Sequence, residues 1–212
     1  LEVRATDAGF PRDAESWCRT TGNQFIEKRS EGGMYYAVIE KTLPGVPSKA
    51  GTSVSEEKGK TLILFSDNLD KTLATFVLAN GAAATGKKVS IFFTFWGLNA
   101  IKKTDKPRVK KDIWGRMFGW MLPSDSTKLA LSQMNMLGIG ARMMRYLMKR
   151  KGVDSLETLR QQAIDNGVEF IACQMSMDVM GVKREELLDE VTVGGVATYM
   201  ERAEQANVNL FI

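Results

Sequence analysis

Histidine is missing altogether from the 212 residues. That absence excludes a Ser-His-Asp or Cys-His catalytic machine and any His-ligated metal site, because each needs a side chain that titrates near neutral pH. Cysteine is scarce, with only Cys18 and Cys173. They lie far apart and match neither a disulfide framework nor a zinc spacing, which points to a reducing, cytoplasmic compartment. No charge-free apolar run approaches the roughly 20 residues that span a bilayer, so the sequence reads as soluble or at most peripheral. A basic-then-apolar signal segment is also lacking. The first residue is Leu1 rather than Met, and the chain reads as part of a longer gene product with some of its N-terminal unit missing.

What is present is enough for a core: 44% of the residues are hydrophobic and 25% charged, which rules out disorder, collagen and coiled coil. The length suits one large domain or two small ones. Charge is unevenly spread. Residues 102–151 carry 13 Lys and Arg against Asp105, Asp112 and Asp125, a balance of +10 in a chain whose total is +4. The same stretch holds seven of the twelve methionines together with Trp114 and Trp120, the mark of an insertion.

Residues 43–60 combine Pro, Gly, Ser and charge with almost nothing to bury, and read as a linker between a unit at 1–42 and a larger one at 61–212. The first reads as strand, helix, strand, strand. Residues 1–6 alternate, Pro11 and Asp13 open a helix burying Ala14, Trp17 and Cys18, and a hairpin turns about Glu31-Gly32-Gly33. In the second unit, Thr61 to Phe65 is a continuous apolar run of the kind buried on both faces of a parallel sheet. A helix over about 69–85 and a second buried strand from Lys88 to Phe95 complete a βαβ unit. After the insertion come a helix at 155–166, a strand at 168–172, a short helix at 183–189, a strand at 190–193, a helix at 196–206 and a last strand at 208–212. The expected class is therefore α/β, an open and mostly parallel sheet with helices on both faces, preceded by a small α+β unit. Inside the insertion, apolar spacing predicts one helix ended by Pro123 and a second over about 127–150.

In an open parallel sheet the carboxyl ends of the strands form the natural crevice. Three such ends carry chemistry: Ser66-Asp67-Asn68, Phe95-Trp96-Gly97-Leu98-Asn99 and Cys173-Gln174-Met175-Ser176. Cys173 follows a strand and precedes a helical turn, where backbone donors favour the nucleophilic thiolate without histidine. The same position suits a thiol that merely packs, since free cysteine is among the most buried residue types. Cys18, sharing a helix face with Ala14 and Trp17, reads as a core thiol. Trp96 and Gly97 suit either a site wall or a core aromatic and a turn glycine. Ser66 and Asp67 suit helix caps as well as ligands. Gly81, Gly86, Gly138 and Gly140 match neither a phosphate loop nor a dinucleotide fingerprint, so no nucleotide site and no cofactor is assigned. The methionines suit an adaptable core or subunit contact better than a metal site, and no metal is assigned. Lys102, Lys103, Lys106, Arg108, Lys110 and Lys111 suit a solvated face, an acidic partner, a phosphate-bearing substrate or an anionic membrane surface. No nucleic-acid reader motif accompanies them.

The strings Thr61 to Asp70, Val89 to Asn99 and Gly167 to Gly181 resemble the DsrE/DsrF-like family, in the branch labelled DsrE-related or peroxiredoxin-like. The resemblance covers nearly all of 60–212. It implies that Cys173 is the persulfide-carrying residue, that sulfane sulfur moves through a Cys–S–SH intermediate, and that the chain forms a homo-oligomer built on trimers. Smaller members of that family lack the basic insertion. Ala5 to Pro11 and Trp17 to Asn23 resemble the second half of a TusA-like (SirA-like) sulfur-carrier domain, without the Cys-Pro motif that accepts sulfur there. The partners implied are sulfur-carrier proteins or rhodanese-like donors and low-molecular-weight persulfide or polysulfide.

The resulting expectation is sulfur relay on Cys173, with Ser176 donating a hydrogen bond and Ser66, Asp67, Trp96, Gly97 and Asn99 lining the substrate side. The rival is a non-catalytic oligomerisation and docking module whose basic insertion binds an acidic partner or a membrane surface. A peroxidatic thiol is a third reading, without a resolving cysteine nearby.

Overall fold

The computed structural model describes residues 1–5, 10–42, 58–105, 107, 109 and 113–212. It divides into two compact units, Leu1–Glu56 and Glu57–Ile212. The expected linker at 43–60 lies largely outside the described residues, as do Lys106, Arg108, Lys110 and Lys111 and the side chains of Trp114 and Phe118.

In the first unit, β1 (Glu2–Ala5), α1 (Phe10–Thr21), β2 (Gln24–Glu31) and β3 (Met34–Glu40) follow the predicted order. The β2–β3 hairpin turns on Gly32 and Gly33, both at positive φ, and β1 adds antiparallel to β3, giving the order β1-β3-β2. Helix α1 lays Ala14 and Cys18 against Ala37 and Ile39, a small core with Val3, Phe10, Trp17 and Phe25 at its margin.

The second unit is built on five parallel strands in the order β7-β6-β5-β4-β8: β4 (Gly59–Leu64), β5 (Val89–Phe93), β6 (Glu169–Cys173), β7 (Thr192–Gly194) and β8 (Ala206–Phe211). From β4 to β7 the chain steps one way across the sheet. It then returns through α7 (Val196–Glu204) to place β8 beyond β4. Right-handed crossovers that reverse direction put their helices on opposite faces. Residue alternation along the strands sorts the side chains accordingly. Leu62, Leu64, Ile91, Phe93, Phe170 and Ala172 face the main core, where Phe76 and Ala79 of α2 (Leu69–Ala83) close over them. Phe76, Phe93 and Phe170 form a triangle of tilted rings 5.3–6.3 Å apart. The alternate positions Phe92, Ile171 and Cys173 face the other way, where Ile63 and Tyr199 of α7 are the partly buried side chains packed on them. One face is thick and the other thin.

Helix α5 (Leu156–Asp165) packs beside α2, and Ser155 caps it by accepting from the Thr158 N–H at 3.1 Å. Several boundaries differ from the sequence reading. The expected helix over 127–150 is broken. Its first part is a 3-10 turn at Ser126–Lys128, its second a 3-10 turn at Met136–Gly138, and only Ile139–Lys151 forms α4. The cause is local: Leu129 is pulled into the core, and the Ala130 carbonyl accepts from the Leu69 N–H at 2.7 Å, so this stretch of backbone serves the start of α2. The helix expected at 183–189 shrinks to a 3-10 turn at Arg184–Glu186. There the Arg184 guanidinium donates to the carbonyls of Leu188, Asp189 and Val191, fixing the chain in a non-helical path. The strand expected to reach Phe95 stops at Phe93, because Phe95 turns to φ 47° and opens a 3-10 helix, Phe95–Ile101. α3 (Ile113–Met121) and α6 (Gln174–Met180) complete the unit.

Candidate functional site

Cys173 is the last residue of β6 and the N-cap of α6, with φ −70° and ψ 114°. It occupies the predicted junction, where the first N–H groups of a helix lack intrahelical partners. The sulfur is not at a crevice mouth, however: the residue is 2% exposed and packs with Phe92 and Ile171. Period-two alternation explains this, since Cys173 shares a face with Ile171 and therefore points to the α7 side. Its register partner on β7 is Gly194, and α7 begins two residues later, after Gly195. Open space surrounds the position a Cβ would take on Gly195. On this face the group formed by Phe92, Ile171 and Cys173 is packed by Ile63 and by Tyr199, whose ring lies 5.4 Å from that of Phe92, with Gly194 beside Cys173 on the neighbouring strand.

Ser176, in the first turn of α6, is fully buried, and its hydroxyl meets the Thr94 hydroxyl at 2.9 Å. That contact ties the α6 turn to the end of β5. Thr94 was not singled out in the sequence, where a threonine before an aromatic run carries no signal of its own. Gly194, Gly195 and Tyr199 were likewise unmarked, because nothing in the sequence says which strand end lies beside Cys173.

The other expected residues gather at the end of β4. Asn99 Nδ2 donates to Asp67 Oδ2 at 3.0 Å, and Ser66 Oγ donates to Asn68 Oδ1 at 2.6 Å while accepting from the Asn68 N–H. Asn99 is wholly buried, and its Oδ1 is the one buried side-chain atom without a hydrogen-bond partner among the described residues. β5 separates this group from β6, so the two strand ends stand about 10 Å apart. The structure therefore forms two groups: the Thr94–Ser176 pair directly after Cys173 in one, Ser66, Asp67 and Asn99 in the other. Gly97 belongs to packing, since a Cβ there would overlap the Leu64 carbonyl oxygen, and its N–H donates to Phe65 O at 2.9 Å. Trp96 stands on the 3-10 turn, 40% exposed. Cys18 sits in the core of the first unit, where burial pushes its thiol pKa up. Among the described residues no cluster of His, Cys, Asp or Glu suits a metal ion, and no helix is long and apolar enough to cross a membrane.

A family model described as the DsrE/DsrF/DrsH-like family matches residues 56–211. The chain belongs to that family. It is 44% identical over 157 residues to the uncharacterized protein YrkE of Bacillus subtilis (strain 168), covering 74% of this chain and 98% of that protein. It is 36% identical over 161 residues to the sulfur carrier protein DsrE2 of Allochromatium vinosum, covering 74% of this chain and 99% of that protein. A shorter match, 38% identical over 42 residues, relates 20% of this chain to 55% of the sulfur carrier protein TusA of the same organism. The crystal structure of the ychN protein from E. coli aligns over 73% of this chain and 99% of its own, with 10% identity and a TM-score of 0.42.

Proposed function

We propose that the second unit carries sulfane sulfur as a persulfide on Cys173. The observation that carries this reading is the placement of Cys173 at the β6–α6 junction, within a chain 36% identical to a sulfur carrier protein. The step is a pair of thiol exchanges. The Cys173 thiolate attacks the outer sulfur of a donor persulfide R–S–SH; a new S–S bond forms at Cys173, the donor S–S bond breaks, and R–S⁻ leaves with the electron pair and takes a proton. An acceptor thiolate then attacks the outer sulfur of Cys173–S–SH and releases the Cys173 thiolate. No oxidant is consumed, and the rate follows the populated, accessible thiolate rather than an acid-base pair.

In this reading Ser176, held by Thr94, fixes the α6 turn over which the sulfur sits, and Tyr199 with Gly194 and Gly195 forms the cover that moves to admit a donor. Donors and acceptors are sulfur-carrier proteins, rhodanese-like proteins or small persulfides. The first unit is read as the remaining half of a TusA-like carrier, supported by the 42-residue match. Self-association is part of the same reading, because a parallel sheet is ordinarily buried on both faces and this one leaves Phe211 and Met200 exposed on β8 and α7.

Intact-mass spectrometry after polysulfide treatment tests the assignment. Addition of about 32 Da per sulfur atom is expected on the wild type and on Cys18→Ser, and absent from Cys173→Ser. Full loading of Cys173→Ser would overturn it. The burial of Cys173 favours a second reading, a docking module whose chemistry occurs on a partner; unloaded Cys173 in the wild type is its expected result.

A further inference from the structure

The segment around α4 is not among the residues placed around Cys173, and it presents apolar side chains to water. Leu137 is fully exposed at its tip, with Met134 and Met136 more than two-thirds exposed beside it. This is a built conformation. Met134, Met136 and Leu137 all sit at positive φ, 57°, 43° and 57°, which side-chain-bearing residues rarely adopt. The Asn135 carbonyl accepts from the N–H groups of Gly138 and Gly140, and Gly140 passes so close to Met134 O that a Cβ would overlap it. Asn135 Oδ1 accepts from the Leu131 N–H. The chain thus holds methionine and leucine outward on a pinned loop.

Helix α4 continues the same character. Ile139, Met143 and Tyr146, at helical spacing, are all more than half exposed, and Arg142, Lys149, Arg150 and Lys151 are exposed among them. No Asp or Glu occurs between Asp125 and Asp154. A second copy placed against this surface would bring like charge against like. An exposed apolar tip, continued by a helix whose exposed apolar side chains and tyrosine are interspersed with cations, is instead the composition that enters the boundary between anionic headgroups and acyl chains.

We propose that residues 134–151 form a reversible docking element for an anionic lipid surface, the tip entering the headgroup boundary and the α4 cations pairing with lipid phosphates. This stands apart from the persulfide reading and survives its failure. The test is co-sedimentation of the full chain with vesicles of phosphatidylglycerol and phosphatidylcholine in equal parts, and with vesicles of phosphatidylcholine alone. Binding is expected to the first, weakened by added salt, and not to the second. Each basic side chain near an anionic leaflet strengthens binding about fivefold, so Arg142→Glu with Arg150→Glu is expected to lose more than about tenfold. Leu137→Asn with Met134→Asn is expected to lose at least about tenfold, while its circular dichroism stays that of the wild type, since asparagine tolerates the left-handed backbone. Cys173→Ser is expected to bind like the wild type. The proposal is overturned by equal binding to both vesicle types, by no binding to either, or by unaltered binding of both double variants. A fall in particle mass for Leu137→Asn with Met134→Asn, in a chain that ignores vesicles, would assign the tip to a second copy instead.

Discussion

Thr94 and Ser176 meet hydroxyl to hydroxyl at 2.9 Å in the interior, joining the end of β5 to the first turn of α6 directly after Cys173. Removing either hydroxyl leaves the other buried without a partner, a loss of about 1–3 kcal/mol. Ser176→Ala and Thr94→Val are each expected to lower unfolding stability in urea by that amount. The double variant is expected to lose less than the sum, because neither orphan then remains. Additive losses would show that the two hydroxyls do not act as a pair.

Gly97 and Gly195 give opposite expectations for the same change. Gly97→Ala drives a methyl from the 3-10 helix into the Leu64 carbonyl at the end of β4, backbone that cannot swing aside as a side chain could, and is expected to lose about 2–4 kcal/mol or to fail to fold. Gly195→Ala meets open space at φ −101° and is expected to stay within about 0.5 kcal/mol of the wild type. Thermal melts of the two proteins, compared with the wild type, decide the matter.

The middle of the sheet was legible because the central strands β4, β5 and β6 contain apolar runs, and the position of Cys173 followed from strand-then-helix spacing. Which face Cys173 points to was not legible. A one-residue change of register reverses it, and register was settled by pairing with Gly194, far along the chain. Spacing also misread 127–150 as one helix: the apolar period is real, but Leu129 and Ala130 are spent on the core and on the start of α2. Ser66, Asp67 and Asn99 do cluster, yet at the β4 end, because strand order cannot be read from strand content.

Glu169 on β6 accepts from Arg202 Nε at 2.8 Å and from Ser90 Oγ at 2.9 Å, fastening α7 to the sheet. The Arg202 hydrogen bond, opposed by partial burial and helped by Ser90, holds the Glu169 carboxyl below its ordinary value, and Arg202 is correspondingly raised. A depressed folded-state carboxylate stabilises the fold fully above the unfolded value of about 4.3 and loses that contribution as pH falls through the folded one. Arg202→Gln is therefore expected to be about 1 kcal/mol less stable than the wild type at pH 7, with the gap closing below pH of about 4. A gap that persists at pH 3 would assign the loss to packing of the Arg202 stem instead.

Under the proposed persulfide function, access to Cys173 passes through the thin face, where Tyr199 is the helical side chain packed against the group that holds it. No residue of α7 is fully buried, so lifting this helix exposes far less core than lifting α2 would. Segments with few buried contacts open at a small fraction of the global unfolding free energy, and a buried thiol then reacts at a rate set by that opening. Tyr199→Ala is expected to raise the labelling rate of Cys173 by a thiol-disulfide reagent at least about tenfold, with Cys18 replaced by serine so that one thiol reports. Polysulfide loading is expected to quicken in the same proportion if both reagents enter by this route. Phe76→Ala, in the core on the opposite face, costs about 3–5 kcal/mol of stability and serves as the control: global loosening would speed labelling in both variants, whereas a local gate under α7 predicts a larger acceleration per unit of lost stability in Tyr199→Ala. Equal dependence on stability in the two variants would mean that Cys173 is reached only by unfolding, and a persulfide carrier in this single-chain form would then be untenable.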